Sequence, residues 1–270
     1  MVIPPEIIDQ VIDYVHKDTR TLVACSLVAR IWVPTTRLHL FAKRSLLSAH
    51  EVARFTELDS FAPHILCYCQ ELSIGSNNQF GPSTPEFPLF FGTPPPVITE
   101  RVERLTSLHT LHFRGFPGVK SALIAPLLDI SEKITTISFT NSSLESCHDL
   151  WKILRLFPNL ESVHASDLGY SSNKEGDVSI APSCYHSPPI RFFSLHTYCQ
   201  GFVLGQLAEP PYPLTHLKSL EIHHTNQQQR HLNSIATKYR DAITTLRFSA
   251  SSTLGSGMSP RPSSPSARRH

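Results

Sequence analysis

Several features are scarce in this 270-residue chain, and each scarcity excludes something. Charge of one sign is missing: Lys and Arg number 24 against 22 Asp and Glu, a net of +2, so nothing here builds an electrostatic nucleic-acid binder. No run of eighteen apolar residues occurs, so no membrane span is expected. The start lacks a basic region followed by an apolar stretch, so no secretion signal is read. Glycine is sparse, at 11, and forms no phosphate-cradling loop. There is no Gly-x-Ser-x-Gly elbow and no His-Glu-x-x-His. The six cysteines (Cys25, Cys67, Cys69, Cys147, Cys184, Cys199) have no disulfide-scaffold spacing and no Cys-x-x-Cys, and read as reduced thiols. The expectation is a cytoplasmic or nuclear protein, in which the Asn141-Ser142-Ser143 sequon goes unused.

What is present begins with apolar periodicity. Apolar residues make up 40% and charged residues 17%, enough to bury a core over most of the length. Pro4 and Pro5 suit a first helical turn, with Glu6 at its positive end. Ile7, Ile8, Val11, Ile12 and Val15 then fall on one helical stripe. Lys17-Asp18-Thr19 reads as a turn whose Asp18 or Thr19 caps a second helix carrying Leu22, Val23, Leu27 and Val28. Pro34 starts a further turn before Leu38-His39-Leu40-Phe41. By periodicity alone this is a small helical unit that could simply cap the domain behind it.

The body repeats. Leu108-x-x-Leu111-x-Phe113, Ile134-x-x-Ile137-x-Phe139 and Leu160-x-x-Val163-x-Ala165 share a pattern, as do Leu217-x-x-Leu220-x-Ile222 and Ile243-x-x-Leu246-x-Phe248. Leu111, Ile137 and Val163 are 26 residues apart, and so are Leu220 and Leu246. Phe192-x-x-Leu195 reads as a further copy displaced by an insertion, and Cys69-x-x-Leu72-x-Ile74 as an earlier one. Helical spacing between copies (Leu150, Ile153, Leu154, Phe157; then Leu232, Ile235, Ala236, Tyr239) and a capping box at Ser48 to Glu51 complete an alternation of strand and helix. The period is that of leucine-rich repeats, although the asparagine that follows the strand in such repeats is often absent. The expected class is α/β, with a three-helix N-terminal unit and an irregular leucine-rich-repeat-like solenoid built on a parallel sheet.

The opening stretch then gains a meaning. Pro5-Glu6-Ile7-Ile8-x-x-Val11-Ile12-x-x-Val15, then Leu22, then Ser26-Leu27-Val28-x-Arg30-x-Trp32, resembles an F-box, most closely those of mushroom-type fungi. The resemblance spans residues 3–45, and departs from the usual pattern at Ile3-Pro4 and at Ala29. It implies docking on a Skp-family adaptor and, through it, a cullin. Pro5, Ile8, Val11, Ile12, Leu27, Val28 and Trp32 would be the adaptor contacts. The boundaries expected are 1–45 for the F-box-like unit, 46–250 for the repeat region with a proline-rich loop at 80–97, and 251–270 for a Ser/Pro/Arg-rich disordered tail. The tail follows the last repeat with no closing cap, which fits a shortened product of a longer reading frame. Transcript sequence running on in frame to a stop after His270 would overturn that.

In a repeat strand the residue between two core positions faces away from the core. That assigns Ser73, His112, Ser138, His164, His196, Glu221 and Arg247 to an open face, with Arg114, Ser166 and His223 just beyond. His112, Arg114, His164, His196, Glu221, His223 and Arg247 are the expected target-binding residues. Strand alternation separates His223 from His224, and His109 likewise diverges from His112, so no metal site is expected. No cofactor and no catalytic residue is expected either. The function implied is a non-catalytic substrate receptor of a ubiquitin ligase with an unknown protein target, and neither nucleic acid nor membrane as partner. The alternative is a repeat scaffold for protein interactions with no ligase role.

Overall fold

Pro4 caps the first helix and Pro5 enters it, where a missing N–H removes no helical hydrogen bond. The computed structural model describes residues 3–76, 102–119, 124–144, 147–170, 188–196, 214–224 and 229–250. The proline-rich loop 80–97 and the tail 251–270 lie outside the described residues. Helix α1 spans Pro5–Tyr14 and α2 spans Thr19–Val28. Asp18 caps α2: Oδ1 accepts from the amides of Arg20 (3.0 Å) and Thr21 (3.3 Å), and Oδ2 from the Thr21 hydroxyl (2.7 Å). A 3-10 turn, Arg30–Trp32, leads into α3, Val33–Phe41. This helical region holds its own small core of Ile8, Ile12 and Leu22, flanked by Val15, Trp32 and Leu40. A hydrogen bond across α1 and α3, between His39 Nε2 and Asp13 Oδ1 at 2.7 Å, sits beside it.

The rest is a parallel sheet of eight strands. In spatial order these are β1 (Lys43–Leu46), β2 (Glu71–Gly75), β3 (Thr110–Arg114), β5 (Thr136–Thr140), β7 (Ser162–Ser166), β9 (Phe192–His196), β10 (Ser219–His224) and β11 (Thr245–Ala250). A second parallel sheet joins β4 (Pro117–Val119), β6 (Ser143–Leu144) and β8 (Gly169–Tyr170). Helix α4 (Ala49–Phe61) follows β1, α5 (Cys147–Arg155) precedes β7, and α6 (Gln229–Lys238) precedes β11. β1 has no counterpart in the sequence pattern. Lys43, Arg44 and Ser45 pair with Glu71, Leu72 and Ser73, so they belong to the sheet and not to the helical unit.

The 26-residue period is visible as register. Leu72, Leu111, Ile137, Val163, Phe193, Leu220 and Leu246 stand side by side across seven strands. Ile74, Phe113, Phe139, Ala165, Leu195 and Ile222 form the parallel row. Both rows are buried, apart from Leu246 on the last strand, which is 39% exposed. They meet Phe55, Leu66, Leu127, Ile130, Leu150, Trp151, Leu154 and Ile235 in one continuous core. Each such side chain contributes about 2 kcal/mol by leaving water, and Phe113 also stacks on Phe139 with ring centroids 5.4 Å apart.

One repeat assignment is corrected by this register. The β9 copy is Ile190-x-x-Phe193-x-Leu195, not Phe192-x-x-Leu195, because Val163 pairs with Phe193. A slip of two residues keeps every side chain on its expected face, which is why the pattern alone admits it. The capping box is also different in detail. Ser48 Oγ accepts from the Glu51 amide (3.2 Å), but Glu51 reaches back to the Leu47 amide and the Ser45 hydroxyl, each at 2.8 Å.

The chain leaves successive strands through a repeated left-handed turn. Gly115, Asn141 and Asp167 have φ of 64°, 48° and 54°, again 26 residues apart, and each leads into a strand of the small sheet. Beyond Asn141, the buried Ser142 hydroxyl donates toward the carbonyls of Thr140 (3.0 Å) and Phe113 (3.2 Å) and accepts from the Phe116 amide (3.3 Å). It thus does for two neighbouring turns what an amide side chain would do. Gly75, at φ 143°, lies so close to β3 that an added Cβ would sit 1.7 Å from the Arg114 carbonyl oxygen. Gly75→Ala should therefore destabilise by about 2 kcal/mol or more, read as a lowered midpoint in denaturant unfolding.

Candidate functional site

Two surfaces stand out, one at each end of the chain's logic. The first is the outside of the helical region. In α1 the single stripe expected from sequence resolves into two. Ile8, Ile12 and Val15 turn inward, whereas Ile7, Val11 and Tyr14 turn outward at 47%, 48% and 91% exposure. In α2, Leu22 and Cys25 are buried, and Leu27 and Val28 project at 82% and 67%. Ile31, on the 3-10 turn, is half exposed. Twelve large apolar side chains are exposed among the described residues, and nine of them lie between Ile3 and Leu38. Scattered singly they would be ordinary, but this concentration is the kind of apolar surface that marks an interaction site.

The seven expected adaptor contacts therefore divide. Pro5, Val11, Leu27 and Val28 are exposed. Trp32 is partly buried against the small core. Ile8 and Ile12 are buried, at 5% and 0% exposure, in the small core they form with Leu22. Ile7, Tyr14 and Ile31 were not among the expected contacts. The i, i+4, i+7 spacing of Ile7, Val11 and Tyr14 was the signal, hidden because Ile8 and Ile12 run alongside it.

The second surface is the sheet face opposite the core. Parallel sheets are usually covered on both faces. Here the central row reads Ser45, Ser73, His112, Ser138, His164, Ser194, Glu221, Arg247. His112, His164 and Glu221 are half buried on it and Arg247 is exposed. Arg114 and His196 belong to the next row, in line with Thr140 and Ser166. Placing His196 in the central row follows from the two-residue slip, and Ser194 takes that position instead. His223 lies alongside His196, their rings stacked 3.9 Å apart at 23°.

Charges on this face are interlocked. Glu71 Oε2 lies 2.9 Å from Lys43 Nζ and 3.8 Å from His112 Nε2. Glu221 Oε1 lies 3.7 Å from His223 Nε2. His164 rests on the Phe192 ring, centroids 5.0 Å apart. Burial lowers the pKa of His112 despite the nearby Glu71. Burial, with repulsion from His112 and His196, lowers that of His164. Burial and His223 lower that of His196. His112, His164 and His196 are thus held in their neutral form on this face. Elsewhere, burial raises the Cys69 thiol to about 12, which leaves it protonated and unreactive at neutral pH. Among the described residues no cluster of three or more His, Cys, Asp or Glu is arranged to hold a metal ion, and no helix is long and apolar enough to cross a membrane.

A histidine with a lowered folded-state pKa is protonated more readily in the unfolded chain. Its penalty is absent above the ordinary value of 6.5 and grows as pH falls below it toward the folded-state value. Stability should be flat above about pH 7 and decline toward pH 5.5, before carboxylates titrate. Replacing His112, His164 and His196 by Gln should flatten that decline in urea melts. A wild-type profile that is level, or that rises toward acid, would contradict the assignment. No family model matches this chain, and no curated protein is similar to it in sequence.

Proposed function

We propose that this chain is an F-box-type substrate receptor: its N-terminal helices dock on a Skp-family adaptor, and its leucine-rich-repeat-like sheet face holds a target protein. The receptor catalyses nothing. It raises the effective concentration of target beside the ubiquitin-charged enzyme that the adaptor and cullin bring. The observation that carries this reading is the outward apolar row Ile7, Val11 and Tyr14, with Leu27, Val28 and Ile31. A unit that only capped the sheet would turn such residues against it. Anchors at i, i+4 and i+7 are what a helix lays into an apolar groove. The small separate core of Ile8, Ile12 and Leu22 supports a helical unit able to present them. The half-buried, chemically varied sheet face supports a protein target.

The test is co-purification with the Skp-family adaptor of the same organism. Leu27→Asp alters a side chain that is 82% exposed, so folding should survive, as circular dichroism would check. The wild type should form a stoichiometric complex. Loss of one central apolar anchor should weaken it by about 2 kcal/mol or more, on the order of 30-fold. A well-folded wild type that forms no complex would leave the repeat scaffold without a ligase role as the better reading.

A further inference from the structure

Between β1 and α4 lies a cleft of about 260 Å3 whose walls include Lys43, Arg44 and Arg54, with Glu51 as the one carboxylate among its lining residues. Glu51 and Lys43 there have partners, and the two arginines are left over. Glu51 is held in place, Oε1 accepting from the Ser45 hydroxyl and Oε2 from the Leu47 amide, each at 2.8 Å. Lys43 is held by Glu71, at 2.9 Å. Arg44 lies over the Phe41 ring, 4.3 Å from its centroid. Its Nη2 donates only to the Leu40 carbonyl, at a long 3.4 Å. Its Nε is enclosed and meets no acceptor. Among the described residues neither Arg44 nor Arg54 forms an ion pair with a carboxylate.

A partly buried guanidinium with no carboxylate partner is an expensive arrangement, and an anion in the cleft would offset its charge, although not by bonding the enclosed Nε. Burial lowers the Arg44 pKa, with Cys69 opposing the shift and the nearby Arg54 adding to it. Arginine presents a planar fork that matches the oxygens of a phosphate in pairs. The volume falls below the roughly 300–1,000 Å3 of sites for drug-sized ligands, and suits one such group and not a whole nucleotide.

We propose that this cleft is a phosphate-binding site, in which Arg44 and Arg54 grip a single phosphate group and Lys43 adds to the field. The phosphate is either free in solution or carried by a phosphorylated side chain of another protein. The two sources share the same chemistry at the cleft. The cleft shares Ser45 with the end of the central row and Lys43 with the charges of that face, but none of the outward apolar residues Ile7, Val11, Tyr14, Leu27, Val28 and Ile31, so it stands whether or not the adaptor docks.

Calorimetric titration of the full chain decides it. The probes are inorganic phosphate and N-acetyl-phosphoserine amide, at constant ionic strength and at pH 8, where His112, His164 and His196 are neutral. At least one probe should bind saturably at one site. Arg54→Gln, at an exposed position, should fold normally by circular dichroism and bind at least tenfold more weakly. Arg44→Lys, which keeps the charge and loses the fork, should weaken binding in the same direction. Tighter binding of the phosphoserine probe assigns the site to a phosphorylated protein, and tighter binding of inorganic phosphate to the free anion. Absence of saturable binding by both probes, or binding that Arg54→Gln leaves unchanged, overturns the proposal.

Discussion

The hydrogen-bond register of the parallel ladder is the constraint on which everything else rests. Because Leu72, Leu111, Ile137, Val163, Phe193 and Leu220 are locked side by side, each strand delivers its two inward side chains to the same core and its polar ones to the same open face. A one-residue slip anywhere would exchange the two faces. The apolar rows make that costly, and the left-handed turns at Gly115, Asn141 and Asp167 repeat the exit from β3, β5 and β7. The histidines acquire their shared electrostatics from this alignment. His112, His164 and His196 are far apart in sequence and come close enough to repel one another only through the ladder.

The helical region is organised by a different rule. Its inward residues are few, and Ile8, Ile12 and Leu22 make a core much smaller than that of the sheet. With so little apolar surface hidden, α1 and α2 leave a large share of theirs in water. The same composition that makes the unit a modest structural element makes it a ready surface. β1 joins the two rules. It begins directly after α3, yet its pairing with β2 belongs to the sheet, and its Arg44 lies among apolar neighbours at the seam.

The repeat and its parallel sheet were legible in sequence because the 26-residue spacing is sustained over β3, β5 and β7 and again over β10 and β11. The inward and outward faces followed from strand alternation. The β9 register did not, since Leu195 fits either inward position under a two-residue slip and only the pairing of Val163 with Phe193 separates the two. β1 was illegible because Arg44 occupies the place where the other strands carry Leu72 or Leu111. In the helices the adjacent pairs Ile7-Ile8 and Val11-Ile12 blur the stripe, so exposed and core residues read as one group in sequence. The arginine cleft left no trace in sequence, as Arg44 and Arg54 meet only through the packing of α4 on β1.

A ladder of this kind is also a ruler. Neighbouring strands are about 4.8 Å apart, so the row from Ser45 to Arg247, one residue from each of eight strands, spans roughly 34 Å before twist. The row runs in the order serine, serine, histidine, serine, histidine, serine, glutamate, arginine, with only the sixth, Ser194, buried from a molecule lying across the strands. The spacing belongs to the backbone and is the same whatever the side chains are. Chemistry along the row can therefore be rewritten one mark at a time, by single substitutions, without disturbing the distance between any two marks.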